Sequence, residues 1–281
     1  MLGLSHRADL VWLADVLRDA QQAAPTADWL LVGAMARDLW LSYANNIRIE
    51  RETTDVDLAI GVDGWKNFEA TRAQLVASGR FSADGALQRV RHISGRSLDL
   101  VPFGGIEDAE RRIAWPPTGD VRMNVIGCRE ARAAADVVRL HGGVESLLVT
   151  LPGLIMLKFF AFSDRALIQP RKDAFDLQLV LSHYLEAGNT SRLYDEHADL
   201  LDVEPFDFTK AGAAVAGRDV RKLLMEHCDT PGLVLGELAA MLNMELDLDG
   251  PNRLIGQVSL AQAEAFRQVL LAFQKELFRV N

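Results

Sequence analysis

Cysteine is almost missing from this chain, with Cys128 and Cys228 the two present among 281 residues. Thiols so few and so far apart build no disulfide framework and match no zinc spacing. The expectation is a cytoplasmic protein with reduced thiols. The six histidines are scattered without a His-Glu-x-x-His pair, so no zinc site is expected either. Long apolar runs are lacking too. The longest, "LPGLIMLKFFAF", is too short to span a bilayer and contains Lys158, so no membrane association is expected. The first residues, "MLGLSHRADLVWLADVL", carry acids among their apolar positions and read as an amphipathic helix, not a signal peptide. Positive charge is short as well: 30 Lys and Arg stand against 39 Asp and Glu, a net charge of −9. Nonspecific DNA binding calls for the opposite balance and is not expected. Finally, G-x-x-x-x-G-K-[ST], G-x-G-x-x-G and G-x-S-x-G are all absent. A P-loop, a dinucleotide fold and that class of serine hydrolase drop out with them.

What is present is a globular balance, 49% hydrophobic and 25% charged, in a chain long enough for one large domain or two ordinary ones. Residues 5–24 place Leu10, Leu13, Val16 and Leu17 at helical spacing and stop before Pro25. "WLLVG" (29–33) suits a buried strand, and "AMARDLWLSYA" a helix directly after it. "DVDLAI" (55–60) reads as a strand and 64–77 as a helix. "ALQRVRHI" (86–93) and "RSLDLVPF" (96–103) alternate on either side of Ser94-Gly95, which signals a hairpin. "FGGIEDAERRIAWPPTGD" reads as a loop or short helix, and "VRMNVIG" and "ADVVRL" as further short strands. After Pro152 helical patterns take over, at 152–164, at 173–187 and several times between 206 and 279. Ser259 is the expected cap of the last helix. The expected class is α+β: a mixed sheet flanked by helices over residues 1–150, then a helical domain over 151–281.

Residues two apart on a strand share a face, so Asp55 and Asp57 project together while Val56 and Leu58 face the core. Two carboxylates held that close stay ionised only beside a cation or under good screening by water. Asp99 sits in the apolar alternation of "SLDLVPF". If its strand lies near 55–60, three carboxylates converge into an oxygen site suited to Mg²⁺. A solvated strand face is the plainer reading of Asp-x-Asp. Upstream, a strand ends at Gly33 and a helix begins, which serves either a tight turn or a phosphate bound at a helix N-terminus. Lys158 interrupts an apolar helix face and reads as a snorkelling lysine or as one aimed into a cleft. Arg171 and Lys172 open a helix against its dipole. Either a triphosphate or an ion-pair network with Asp173 and Asp176 can compensate. Arg37 and Asp38 read as a surface or interdomain ion pair, and Arg165 as a structural partner of Asp164, Asp173 or Asp176.

Taken together, a strand, a Gly turn, a helix, Asp55-x-Asp57 and then Asp99 resemble the DNA polymerase β-like nucleotidyltransferase superfamily. "TTDVDLAI" and "SLDLVPFGGIE" are most similar to the AbiEii-type nucleotidyltransferases, toxins of type IV toxin–antitoxin pairs. The block "LPGLIMLKFFAFSDRALIQPRKDAFDLQLVL" adds that family's Lys on one helix, Arg two turns on and Lys-Asp opening the next. Here these fall on Lys158, Arg165, Lys172 and Asp173. The resemblance spans residues 29–181. One departure is the turn, where Gly33-Ala34 stands in place of Gly-Ser or Gly-Gly. "ARDL" is also similar to the head of tRNA CCA-adding enzymes, whose downstream Arg-Arg-Asp-Phe block is absent.

The resemblance implies transfer of a nucleoside monophosphate from an NTP, ATP included, to an acceptor hydroxyl, with release of pyrophosphate. Two Mg²⁺ ions would be held by Asp55, Asp57 and Asp99, the last also helping to deprotonate the acceptor. Gly33, Ala34, Lys158, Lys172 and Asp173 would bind the nucleotide in a cleft closed by the helical domain. tRNA, a protein or a small molecule such as an aminoglycoside are the acceptor classes, and a cognate antitoxin is the implied partner. The contrasting expectation, favoured by Ala34, is a catalytically inactive nucleotide sensor or partner-binding protein of the same fold.

Overall fold

In the computed structural model, residues 1–49, 53–165, 170–246 and 253–279 are described. The chain divides into two units, residues 1–44 with 48–150 and residues 45–47 with 151–281.

The first unit runs β1 (Leu2–Gly3), α1 (Val11–Ala23), β2 (Asp28–Val32), α2 (Gly33–Asp38), β3 (Val56–Val62), α3 (Trp65–Ala77) and β4 (Phe81–Ala83). It continues through β5 (Arg89–His92), β6 (Ser97–Gly104), β7 (Arg112–Ala114), β8 (Arg122–Asn124), α4 (Cys128–Ala133), β9 (Asp136–Arg139) and β10 (Glu145–Leu148). Eight strands form one mixed sheet in the order β1-β9-β10-β2-β3-β6-β5-β4. Its middle is apolar because β2, β3 and β6 are the runs richest in branched aliphatic residues: Leu30, Leu31, Val56, Leu58, Ile60, Leu98 and Leu100 are all fully buried. β2 runs antiparallel to β3, and β3 parallel to β6. The sheet is closed at a distance, since β1 pairs with β9 and β10 with β2.

The expected hairpin is present as β5 and β6, antiparallel, with Arg91 opposite Ser97. The helix read after Gly33 begins as α2 and widens into a π-helical turn over Leu39–Tyr43. The segment expected as loop or short helix from Phe103 to Asp120 contains β7, which pairs antiparallel with β8 in a separate two-stranded sheet. Strands of two to four residues, such as β1, β4 and β10, show too little alternation to be read from sequence. Trp115 packs on Trp65 and Phe68, with ring centroids 5.2 and 5.8 Å apart, so it belongs to an aromatic cluster of this unit.

The second unit is helical: α5 (Leu151–Arg165), α6 (Pro170–Ser182), α7 (Thr190–Asp195), α8 (Phe208–His227), α9 (Pro231–Glu245) and α10 (Leu260–Leu277). The pattern read over 173–187 ends as α6 at Ser182, and a π-type turn follows over Leu185–Asn189. Ser259 does occupy the cap position of α10, but its hydroxyl donates to the Gln262 side chain at 2.9 Å and bonds no backbone N–H. At α8 the cap is made, with Asp207 accepting from the Lys210 N–H at 2.9 Å. Phe159 of α5 stacks on Phe273 of α10. Among the described residues no helix is long and apolar enough to cross a membrane.

Helices α8 and α10 approach closely because Gly217 has no side chain. A Cβ there would lie 3.0 Å from the Leu277 nitrogen and 3.3 Å from the Glu276 Cβ. Overpacking against backbone cannot be relieved by a rotamer change. Gly217→Ala should therefore destabilise the protein by about 1–3 kcal/mol, measured by calorimetry as a melting point several degrees lower.

Candidate active site

The sheet builds one concentration of charge near its middle. Asp55 stands one residue before β3 and Asp57 is the second residue of β3. Both are half-buried, whereas Val56 between them is fully buried. The parallel pairing of β3 with β6 sets Asp57 directly beside Asp99, also half-buried. The condition for the carboxylates to be neighbours, adjacency of the two strands, is thus met.

On the other side of β3, Val32 is the residue opposite Asp57, so the chain leaving β2 turns at Gly33 against the Asp57 side chain. A Cβ on Gly33 would lie 2.7 Å from Cγ and 2.9 Å from Cβ of Asp57. Gly33 also has φ +72, a left-handed conformation that favours glycine. Two independent constraints therefore require glycine, and one of them is the carboxylate itself. The N-cap residue of α2 is Val32, whose apolar side chain gives no cap to the turn where Ala34 and Met35 follow.

A residue not anticipated from the sequence completes this group. Arg89 of β5 pairs in register with Asp99 and donates Nε to one carboxylate oxygen at 2.6 Å and Nη2 to the other at 2.7 Å. These bonds and the charge of Asp99 hold the Arg89 guanidinium above its usual range, and Asp55 adds to the effect. Counting back from a two-residue turn at Ser94-Gly95 would put Val90 opposite Asp99. The turn takes three residues, His92 N–H bonding the Arg96 carbonyl, and that shift brings Arg89 there.

The chemistry of the donor set, half-buried carboxylate oxygens, suits a hard divalent cation. Asp55, Asp57 and Asp99 supply such oxygens, and both oxygens of Asp99 accept from Arg89. Among the described residues, no three His, Cys, Asp or Glu side chains stand grouped to hold an ion.

Arg37 and Asp38 are not at the surface. They form a buried pair within the first unit, Arg37 Nη2 to Asp38 Oδ1 at 2.6 Å, and the other Asp38 oxygen accepts the Thr53 N–H at 3.4 Å. A helical turn whose other neighbours are apolar buries whatever it carries, and here the two charges neutralise each other. Asp38 thereby steadies the chain two residues ahead of Asp55.

In the second unit, Lys158 of α5 is buried. Its ammonium reaches Asp173 at 3.1 Å and also pairs with Asp176. Arg165 joins Asp173 at 2.8 Å. The cluster therefore balances two cations against two buried carboxylates. Lys172, in the first turn of α6, is half-buried and makes no hydrogen bond or ion pair among the described residues. The stretch between Arg165 and Pro170 in this block lies outside the described residues.

A family model described as nucleotidyl transferase AbiEii toxin, type IV TA system, matches residues 15–269 of this chain. The chain belongs to the AbiEii family. No curated protein matches it. That family is one of nucleotidyl transferase toxins of type IV toxin–antitoxin systems, and the mixed sheet and helical C-terminal part agree with the assignment. The match runs through Gly33, Asp55, Asp57 and Asp99 as well as the Lys158 block.

Two substitutions probe these arrangements. Gly33→Ala should cost about 1–3 kcal/mol from the backbone conformation alone, with a further loss from displacement of Asp57, read as a lowered denaturation midpoint. Lys158→Met should cost about 3–5 kcal/mol in urea unfolding, since it leaves two buried carboxylates to one half-exposed guanidinium.

Proposed function

We propose that this AbiEii family member transfers a nucleoside monophosphate from an NTP to an acceptor hydroxyl in a cation-dependent reaction at Asp55, Asp57 and Asp99. The observation that carries this reading is the fit of Gly33 against Asp57. The strand-to-helix turn and the carboxylate strand are built to one tolerance, and the first turn of α2, with Ala34 and Met35, begins at the same point. A solvated strand face has no need of that fit.

In this reading Asp55 and Asp57 would hold the divalent cation, magnesium in two copies, with Asp99 completing the site nearest the acceptor. When bound, the cation would supply charge stabilisation to the phosphoryl oxygens. The acceptor oxygen forms a bond to the α-phosphorus, the bond from that phosphorus to the bridging oxygen breaks, and pyrophosphate leaves with the electron pair. The acceptor's proton passes to Asp99. Backbone N–H groups at Gly33 and Ala34 take phosphate oxygens, so the hydroxyl that Ala34 lacks is not required. In the second unit Lys172 is the residue assigned to nucleotide phosphate, with Lys158 and Asp173 supporting its helix through their ion pairs. The acceptor is a tRNA end, a protein hydroxyl or a small molecule, and a cognate antitoxin restrains the activity.

Asp57→Ala should lower pyrophosphate release by roughly a hundredfold or more, equivalent to about 3 kcal/mol of lost transition-state stabilisation. Release is measured as labelled pyrophosphate from a γ-labelled NTP, and an α-labelled NTP in lysate reports whether label enters RNA, protein or a small molecule. Unchanged release in Asp57→Ala would sink the mechanism. NTP binding by calorimetry without turnover on any acceptor class would favour the rival reading that Ala34 suggests, a nucleotide-sensing protein of this fold. Induced expression should arrest growth, and Asp57→Ala should relieve the arrest.

A further inference from the structure

The Arg89–Asp99 pair raises a question the carboxylates alone do not. Asp57 and Asp99 are strand neighbours, yet both oxygens of Asp99 face a guanidinium on the opposite neighbouring strand. Asp99 stands between two partners, the carboxylates on β3 and the cation on β5. A guanidinium and a divalent cation want the same oxygens. The pair is also accessible: the Arg89 side chain is 40% exposed and that of Asp99 20%, so water can take over the guanidinium as it leaves. The Arg89 side chain has no other hydrogen-bond or ion-pair partner among the described residues, so its release breaks no second side-chain bond.

We propose that Arg89 is a positioning residue that competes with the divalent cation for Asp99, and so sets the cation concentration at which Asp99 joins Asp55 and Asp57. Arg89 keeps the carboxylate cluster charge-balanced when Asp99 is turned to β5. When Asp99 turns to the cation, Arg89 is left beside it as a mobile positive charge. This inference rests on the proposed reading of Asp55, Asp57 and Asp99 as cation ligands.

The test is Mn²⁺ binding to the full chain, without nucleotide, followed by electron paramagnetic resonance. Arg89→Ala should bind Mn²⁺ roughly tenfold more tightly, through loss of a competitor and of a nearby positive charge. Arg89→Lys separates the two contributions. It keeps the charge but cannot grip both oxygens, so it should still bind several-fold more tightly than the wild type. In an Asp99→Asn background the Arg89→Ala change should have less than a twofold effect, which closes a double-mutant cycle. Tm measured on each variant confirms that it folds. Unchanged or weaker binding in Arg89→Ala overturns the proposal. So does Arg89→Lys behaving as wild type, or a tenfold gain that persists in Asp99→Asn, because each reduces Arg89 to a general charge. Asp57→Ala is the control on the underlying reading. If it leaves Mn²⁺ binding intact, the ion is not held by these carboxylates and both ideas fall. If it abolishes binding while the Arg89 variants stay silent, only this one falls.

Discussion

Parallel pairing of β3 with β6 puts Asp57 beside Asp99, and neighbouring carboxylates repel unless something positive lies among them. Much of the first unit answers that requirement. Gly33 is stripped of a side chain to leave room for the Asp57 carboxylate, β5 delivers Arg89 to both oxygens of Asp99, and Asp38 anchors Thr53 so that the approach to Asp55 is held. The apolar residues around them, Val56, Leu58, Leu98 and Leu100, fix the register that creates the repulsion. A slip of one residue would send each of those side chains to the wrong face, so the core enforces the charge cluster at every turn.

The second unit handles a similar density of charge in the opposite way. Asp173 and Asp176 are buried, and Lys158 and Arg165 neutralise them in place. Such a cluster is rigid, because releasing any member strands a charge in a poor dielectric. The β3–β6 cluster is half-exposed, and its charges can exchange partners with solvent. One arrangement suits a scaffold, the other chemistry that must accept and release ligands.

How far the sequence could be read follows from the length scale of each signal. Asp55-x-Asp57 and the alternation around Asp99 were legible because strand periodicity dictates the faces, and the hairpin at Ser94-Gly95 because its turn residues are diagnostic. Arg89 was not legible, because the hairpin turn takes three residues and the two-residue count from Ser94-Gly95 puts Val90 opposite Asp99. The burial of Arg37 and Asp38 was not legible, since an Arg-Asp pair in a helix looks the same whether it faces water or a sheet. The cap position of Ser259 was legible, but its hydroxyl donates to the Gln262 side chain and makes no bond to the backbone. β7 went unread because three residues among Gly and Pro carry no usable period. Lys158 was read as snorkelling or aimed into a cleft, and the charges opening α6 as balanced by a triphosphate or by ion pairs with Asp173 and Asp176. The structure supplies the pairs, and the nucleotide remains the business of Lys172 in our reading.

The long-range closure of the sheet bears on synthesis. β1, at Leu2–Gly3, bonds to β9 at Val138–Arg139, and β2 meets β10 only at Leu148. High contact order of this kind delays folding until the last strand is available. As the chain leaves the ribosome, β2, β3, β5 and β6 have all emerged by Gly104, whereas β9 and β10 follow only at residues 136–148. Asp55, Asp57 and Asp99 can therefore be aligned on their own strands before the N-terminal strand β1 has a partner. The sheet is complete at Leu148, with the whole helical unit still to be made.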